Sequence, residues 1–228
     1  MRSWGQQADV EHFSRARFGD ETDSDCTVRD RRLHGFNGGA KRTLDILACS
    51  VALLLLALPF AVIAVVVKLT SGGPVFYRQV RTGLDGKPFT IVKFRSMYRD
   101  AERATGPVWA LPNDPRVTPV GRFLRRSNLD ELPQLWNVFC GEMSIVGPRP
   151  ERPYFVEQFA SRVPQYRLRH TVKAGLTGWA QVHGWRGNTP VEKRIEYDLY
   201  YVANWSVRLD LKIIWLTVLQ GFFHDHAY

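Results

Sequence analysis

The hydrophobic and polar positions change character near residue 40. Residues 1 to 40 mix arginines with Asp and Glu, carry almost no aliphatic periodicity and end in HGFNGGA, so they read as a disordered or weakly ordered leader. A secretory signal places its apolar core close behind a basic start, whereas here the first apolar run begins beyond residue 43. That run, ILACSVALLLLALPFAVIAVVV from Ile46 to Val67, has 22 residues and no charge. As a straight helix rising about 1.5 Å per residue it would span a hydrocarbon layer of about 30 Å. Pro59 interrupts it, removing a backbone donor and crowding the preceding turn, which favours a kink or break. Lys41 and Arg42 precede the run, and Lys68, Arg78 and Arg81 follow it. Positive charge prefers the cytoplasmic side, so both ends are satisfied best by a helix that enters the membrane, bends and returns. A straight spanning helix that tolerates its proline is the competing reading. A buried core helix fits this length and apolarity less well.

Farther on, PVFYRQV and FTIVKFRSM carry β-branched and aromatic residues around the turn signal GLDGKP, which predicts a β-hairpin. The hairpin gathers Arg78, Arg81, Lys93 and Arg95 near the lipid surface, either as solvated strand faces or as a site for phosphate. GRFLRRS predicts a short helical segment. Leu129, Leu132, Leu135, Trp136 and Phe139 then recur near helical spacing. With Pro133 in its first turn, that helix is expected to begin near Asp130, with Asp130 near the N-cap and Glu131 just inside. Near the end, LDLKIIWLTVLQGFF is apolar for too few residues to span a bilayer, and reads as a core helix or one lying at the interface, where Trp205 and Trp215 would settle.

Charge narrows the partners. Lys and Arg total 31 against 22 Asp and Glu, a net charge of +9 on 228 residues. Nucleic acid, an anionic membrane or a phosphorylated substrate would suit that excess. No helix-turn-helix, zinc finger or stacked aromatic motif supports the first. Cys26, Cys49 and Cys140 are odd in number and widely spaced, which indicates neither a disulfide framework nor a zinc site.

The adjacent carboxylates Asp130 and Glu131 have an ordinary reading, helix capping and favourable dipole placement. Neighbours on a helix point about 100° apart, so they would not share one proton as a protease dyad does. Their surroundings permit more. Arg122, Arg125 and Arg126 lie upstream and Arg149 sits in the stiff GPRPERP loop, where phosphate would be attracted. Mg²⁺ commonly joins one or two carboxylates to a substrate phosphate. The constellation therefore permits phosphoryl transfer with one carboxylate as nucleophile or metal ligand. Asp198, Asp210 and His170 read as solvated, capping or structural groups, and the glycines of GLTGWAQVHGWRG as turn formers supporting aromatic packing.

The ordered strings FLRRSNLDELPQLWNVFCGEMSIVGPRPERP, LRHTVKAGLTGWAQVHGWRGNT and EYDLYYVANWSVRLDLKI resemble the bacterial sugar transferase family, the monotopic phosphoglycosyl transferases, from about Lys41 to Tyr228. Among these the chain looks most like undecaprenyl-phosphate glucose phosphotransferases that prime exopolysaccharides. Family members move a sugar 1-phosphate from a UDP-sugar to undecaprenyl phosphate and release UMP. The resemblance implies that Asp130 forms a covalent phosphosugar intermediate and binds Mg²⁺, with Glu131 supporting it. Arg125 matches a family arginine associated with phosphate, and Arg149 the arginine of Pro-Arg-Pro. Lys93 and Arg95 fall in the family's K-F-[RK] strand and, with Arg81, complete the expected substrate-binding set. It implies a re-entrant helix broken at Pro59. Three departures stand out: Leu58 where serine is common, Ala174 for proline, which suggests a looser loop, and His183 for asparagine.

The expected fold is α/β but mostly helical, with a re-entrant membrane helix, a small hairpin or sheet and interfacial amphipathic helices. Residues 1–40 form the leader, 41–70 the membrane helix and 71–228 the catalytic domain, on the cytoplasmic face of a bacterial inner membrane. Galactose or an N-acetylated sugar remains open as the cargo, family analogy suggests a homodimer, and a non-enzymatic adaptor for anionic lipid is the alternative class.

Overall fold

The computed structural model describes residues 36–101, 103, 106, 114–187 and 189–221, so the leader lies outside the described residues up to residue 35. The stretch expected to be loose is already helical at Phe36, where α1 (Phe36–Leu55) begins. Gly38 and Gly39 are poor helix formers, and tertiary bonds outweigh them. Lys41 donates to Asp210 at 2.6 Å and to the Val146 carbonyl at 3.1 Å. Arg42 donates to the Val138 and Phe139 carbonyls at 2.6 and 2.7 Å. Asp45 accepts from Ser144 Oγ and the Ile145 amide at 3.2 and 3.0 Å. The start of α1 is thus held by the domain that follows it.

α2 (Ala57–Ser71) meets α1 at an angle of 62°. The break falls at Leu56, three residues before Pro59, for a reason that lies in the proline. Residue 59 has no amide proton for the carbonyl four residues back, and its ring crowds that carbonyl; that residue is Leu55, the last of α1. No single described helix is long and apolar enough to cross a membrane, while the bent pair passes by length and composition. One side of the pair packs inward: Cys49 against Ile91, Leu135, Val138 and Met143, and Val67 against Phe94 and Leu124. The other side leaves Leu54, Leu58 and Leu69 at 78, 75 and 79% exposed, an apolar exterior unusual for a water-facing surface.

β1 (Phe76–Thr82) and β2 (Pro88–Phe94) form the expected antiparallel hairpin. Its turn uses Asp85 and Gly86 at positive φ. Register places Tyr77 opposite Lys93 and Arg81 opposite Phe89, so strand alternation puts these four on one face. Helix α3 (Pro119–Arg126) is capped by Thr118, whose hydroxyl accepts from the Gly121 amide at 2.8 Å.

The helix expected to begin at Asp130 begins instead at Gln134, as α4 (Gln134–Cys140), and Asp130 is not its cap. Leu129–Glu131 form a separate 3₁₀ turn. Asn128 in the left-handed region divides that turn from α3, and Pro133, lacking an N–H, divides it from α4.

Two short strands, β3 (Ser144–Val146) and β4 (Gly175–Thr177), pair in parallel, a feature the hydrophobic pattern did not announce. Between them lie α5 (Pro153–Ala160) and a 3₁₀ segment, Tyr166–Thr171; after them come α6 (Trp179–Val182), α7 (Val191–Asn204) and α8 (Val207–Gly221). Val146, Trp179, Tyr201, Val202 and Ile213 form the main core. Trp205 belongs to that core, not to an interface: it is 2% exposed and its indole donates to Asp210 at 3.1 Å. Asp210 is likewise buried rather than solvated, because Lys41, Tyr201 and Trp205 converge on it. On α8, Leu211, Trp215, Val218 and Leu219 are exposed at positions that share one helical stripe.

Candidate active site

The dyad's two carboxylates have opposite surroundings. Glu131 Oε1 accepts from Lys93 at 2.6 Å, and Arg149 grips both oxygens, with Nη1 to Oε2 at 2.9 Å and Nη2 to Oε1. Burial would raise its pKa, but Arg149 and Lys93 outweigh burial and hold it well below the usual carboxylate range. Asp130 is 7% exposed, and among the described residues nothing donates to its carboxylate. Burial first, then the Glu131 charge, pushes its pKa up to about 6 against the pull of Lys93, Arg125 and Arg149. Glu131 is fully engaged, and Asp130 is left poised as an under-solvated anion.

Arg149 owes its position to the loop that carries it. Pro148 and Pro150 offer no amide hydrogens, so the loop is fixed through its carbonyls. Pro148 O accepts from the Gly175 amide at 2.9 Å, Arg149 O from Arg169 at 2.8 Å, Pro150 O from Arg81 at 3.3 Å and Glu151 O from the Thr82 amide at 2.9 Å. Arg169 is 1% exposed and is held by Asp198 at 2.6 Å and by the Tyr166 hydroxyl at 3.0 Å. Asp198, expected to be solvated or capping, is therefore a buried counter-ion. Arg194 ties Glu151 to the Gly187 carbonyl at 2.6 and 2.7 Å.

The GLTG glycines act by close approach rather than as turn formers, since neither Gly175 nor Gly178 has positive φ. A Cβ on Gly175 would lie 2.1 Å from the Gly147 amide nitrogen, and one on Gly178 2.2 Å from the Gly147 carbonyl. Bare backbone at these points seats the Arg149 loop on β4. Ala174 is buried and its carbonyl accepts from the Ser144 amide at 2.9 Å, so strand pairing holds the segment expected to be looser. His183 places Nδ1 at 2.7 Å from the Trp179 carbonyl.

The expected basic residues divide by role. Lys93 and Arg149 touch the dyad, and Arg125, whose Nε donates to Ser96 at 3.1 Å, acts on Asp130 through its charge. Arg81 is committed to the loop and to Glu151 at 3.7 Å. Arg95 donates to the Pro74 carbonyl at 2.8 Å and lies over the Tyr77 ring. Sequence reasoning missed Arg169, Asp198, Glu151 and Arg194, whose roles depend on partners 20 to 43 positions away.

A Mg²⁺ ion fits the dyad at one place. No group of three or more metal-type side chains exists among the described residues, but Mg²⁺ keeps several waters and takes only one or two carboxylates beside substrate phosphate. With Glu131 saturated by cations, the unpartnered Asp130 carboxylate is the available ligand.

Comparison with known proteins identifies the family. The family described as "Bacterial sugar transferase" matches residues 36–224. Similar relatives include UDP-glucose:undecaprenyl-phosphate glucose-1-phosphate transferases of Klebsiella pneumoniae, 52% identical over 87% of this chain, and Escherichia coli K12, 51% identical over 87%. A UDP-N-acetylgalactosamine-undecaprenyl-phosphate N-acetylgalactosaminephosphotransferase of Aeromonas hydrophila is 44% identical over 80%. The chain spans 43, 44 and 44% of the lengths of these three relatives. It belongs to the bacterial sugar transferase family.

Proposed function

We propose that this chain transfers a sugar 1-phosphate, with glucose 1-phosphate as the leading cargo, from a UDP-sugar to undecaprenyl phosphate and releases UMP. The observation that carries the reading is the unpartnered, buried Asp130 beside a Glu131 locked between Lys93 and Arg149. An Asp130 oxygen attacks the sugar-bearing phosphorus, the bond from that phosphorus to the UMP oxygen breaks, and its electron pair leaves with UMP. An oxygen of the lipid phosphate then attacks the same phosphorus and returns Asp130 to the carboxylate. Neither step requires a proton from the protein. Lys93, Arg125 and Arg149 hold positive charge around the reacting phosphate. Mg²⁺, held by Asp130, would neutralise phosphate charge.

The acceptor favours a membrane-level site. Drawing its polyprenyl tail into water would cost about 0.8 kcal/mol per CH₂. The bent α1–α2 pair, read as re-entrant, and the exposed stripe on α8 suit a protein seated in the cytoplasmic face of a bacterial inner membrane, serving exopolysaccharide or another surface glycan. The test is UMP release by protein in lipid or detergent with Mg²⁺, undecaprenyl phosphate and a panel of UDP-sugars, with Asp130→Asn alongside. Release that depends on Asp130 supports the reading and identifies the sugar. Silence across the panel from well-folded protein contradicts it and favours an adaptor.

A further inference from the structure

Arg186 lies outside the set the sequence singled out, and it differs from Arg81 and Arg194, which also each leave a buried Nε without a partner but are held by Glu151 through another nitrogen. Arg169 is held by Asp198 and Arg149 by Glu131, whereas Nη2 of Arg186 is buried with no hydrogen-bond partner among the described residues. A buried guanidinium N–H without an acceptor is costly, and on a side chain with no carboxylate partner among the described residues it is free to meet an acceptor on a ligand. The backbone around it is built to hold one position. Gly184 and Gly187 both have positive φ, at 82° and 66°, and turn the chain sharply on either side of Trp185 and Arg186. Trp185 packs against Tyr197, with ring centroids 6.0 Å apart. Arg194 then moors this turn to the active-site loop, donating to the Gly187 carbonyl at 2.7 Å and to Glu151, two residues beyond Arg149, at 2.6 Å.

Arg186 is close enough to feel the dyad's network. Burial lowers its pKa, the Arg149 charge lowers it further, and Glu131 pulls it back up. Arg149 and Lys93 are occupied on Glu131, beside the attacking Asp130. A nucleoside diphosphate sugar brings a second phosphate that neither of them is free to serve fully.

We propose that Arg186 binds the phosphate of the donor that leaves with the nucleoside, its unpartnered nitrogen donating to a phosphate oxygen. This rests on the transferase reading above. In the transfer to Asp130, the bond to that phosphate's bridging oxygen breaks and the departing monophosphate gains negative charge, which a fixed guanidinium stabilises. The second step, in which the lipid phosphate displaces Asp130, involves no nucleotide and does not use Arg186.

The experiment compares wild-type protein, Arg186→Gln and Arg186→Lys, and follows UMP binding, the KM for UDP-sugar, and each half-reaction separately. Wild-type UMP release tests the underlying reading by itself. Given that release, Arg186→Gln is expected to weaken UMP binding and raise the donor KM by tenfold or more. Transfer from preformed phosphosugar-enzyme to lipid should change by less than twofold, and Arg186→Lys should recover part of the loss. UMP binding and donor KM within twofold of wild type would overturn the assignment, as would equal losses in both half-reactions with a lowered melting temperature, the mark of a structural residue.

Discussion

Two ionic clusters meet at Arg149 and differ in how fully they are satisfied. In the supporting cluster, Asp198, Arg169 and Tyr166 satisfy one another, and the remaining guanidinium hydrogen bond goes to the Arg149 carbonyl. In the dyad cluster, Lys93 and Arg149 crowd onto Glu131, Arg125 adds further charge, and Asp130 has no donor among the described residues. The first cluster is closed and fixes a loop. The second is open at one carboxylate, where on the proposed reaction the phosphate would enter. Stability and reactivity are therefore assigned to different ion pairs, although one loop joins them.

The largest break in that division should come from Arg169→Met. It takes from Asp198 the guanidinium hydrogen-bonded to it, and breaking a buried pair by removing one partner typically costs about 3–5 kcal/mol. Thermal unfolding should show a large drop, and activity should fall with it because the Arg149 carbonyl loses its donor. Arg149→Lys acts on the other cluster: it keeps one charge but loses the two-pronged grip on Glu131. Turnover should fall about 100-fold with a melting temperature near wild type, since misplacement of about 1 Å can cost that much.

Gly175→Ala would thrust a methyl into the Gly147 backbone. Overpacking of this kind costs about 1–3 kcal/mol, and both stability and turnover should drop because the loop serves both. The smallest effect concerns His170. Burial, then Arg169 and Arg167, lowers its pKa to about 4, so the ring stays neutral in the fold while the unfolded ring protonates near pH 6.5. Its contribution is present above about pH 6.5 and is lost as pH falls towards 4. Denaturant titrations should show about 2 kcal/mol less stability at pH 5 than at pH 7 from this group, and His170→Gln should remove that part of the slope.

Local chemistry made much of this legible in the sequence. The hairpin, the proline break and the Asp-Glu pair each follow from residues close together in the chain. The helix start was misplaced onto the dyad because helical spacing of Leu129, Leu132 and Leu135 runs straight through Pro133, and periodicity does not register the break it imposes. The supporting cluster was illegible for a different reason. Asp198 lies inside an ordinary amphipathic helix, and only the folded chain brings Arg169 and the Arg149 carbonyl to it. The glycines that seat the Arg149 loop were visible as glycines, but their use in close packing depends on parallel pairing of two three-residue strands.

The most direct test is to incubate the protein with UDP-glucose carrying ³²P in the sugar-bearing phosphate, with Mg²⁺ and no lipid acceptor, then denature it and locate the label. The account predicts label covalently attached at Asp130, none on Asp130→Asn, and loss of label when undecaprenyl phosphate is added before denaturation. Undiminished labelling of Asp130→Asn, or UMP release that proceeds only with acceptor and without any labelled protein, would contradict it.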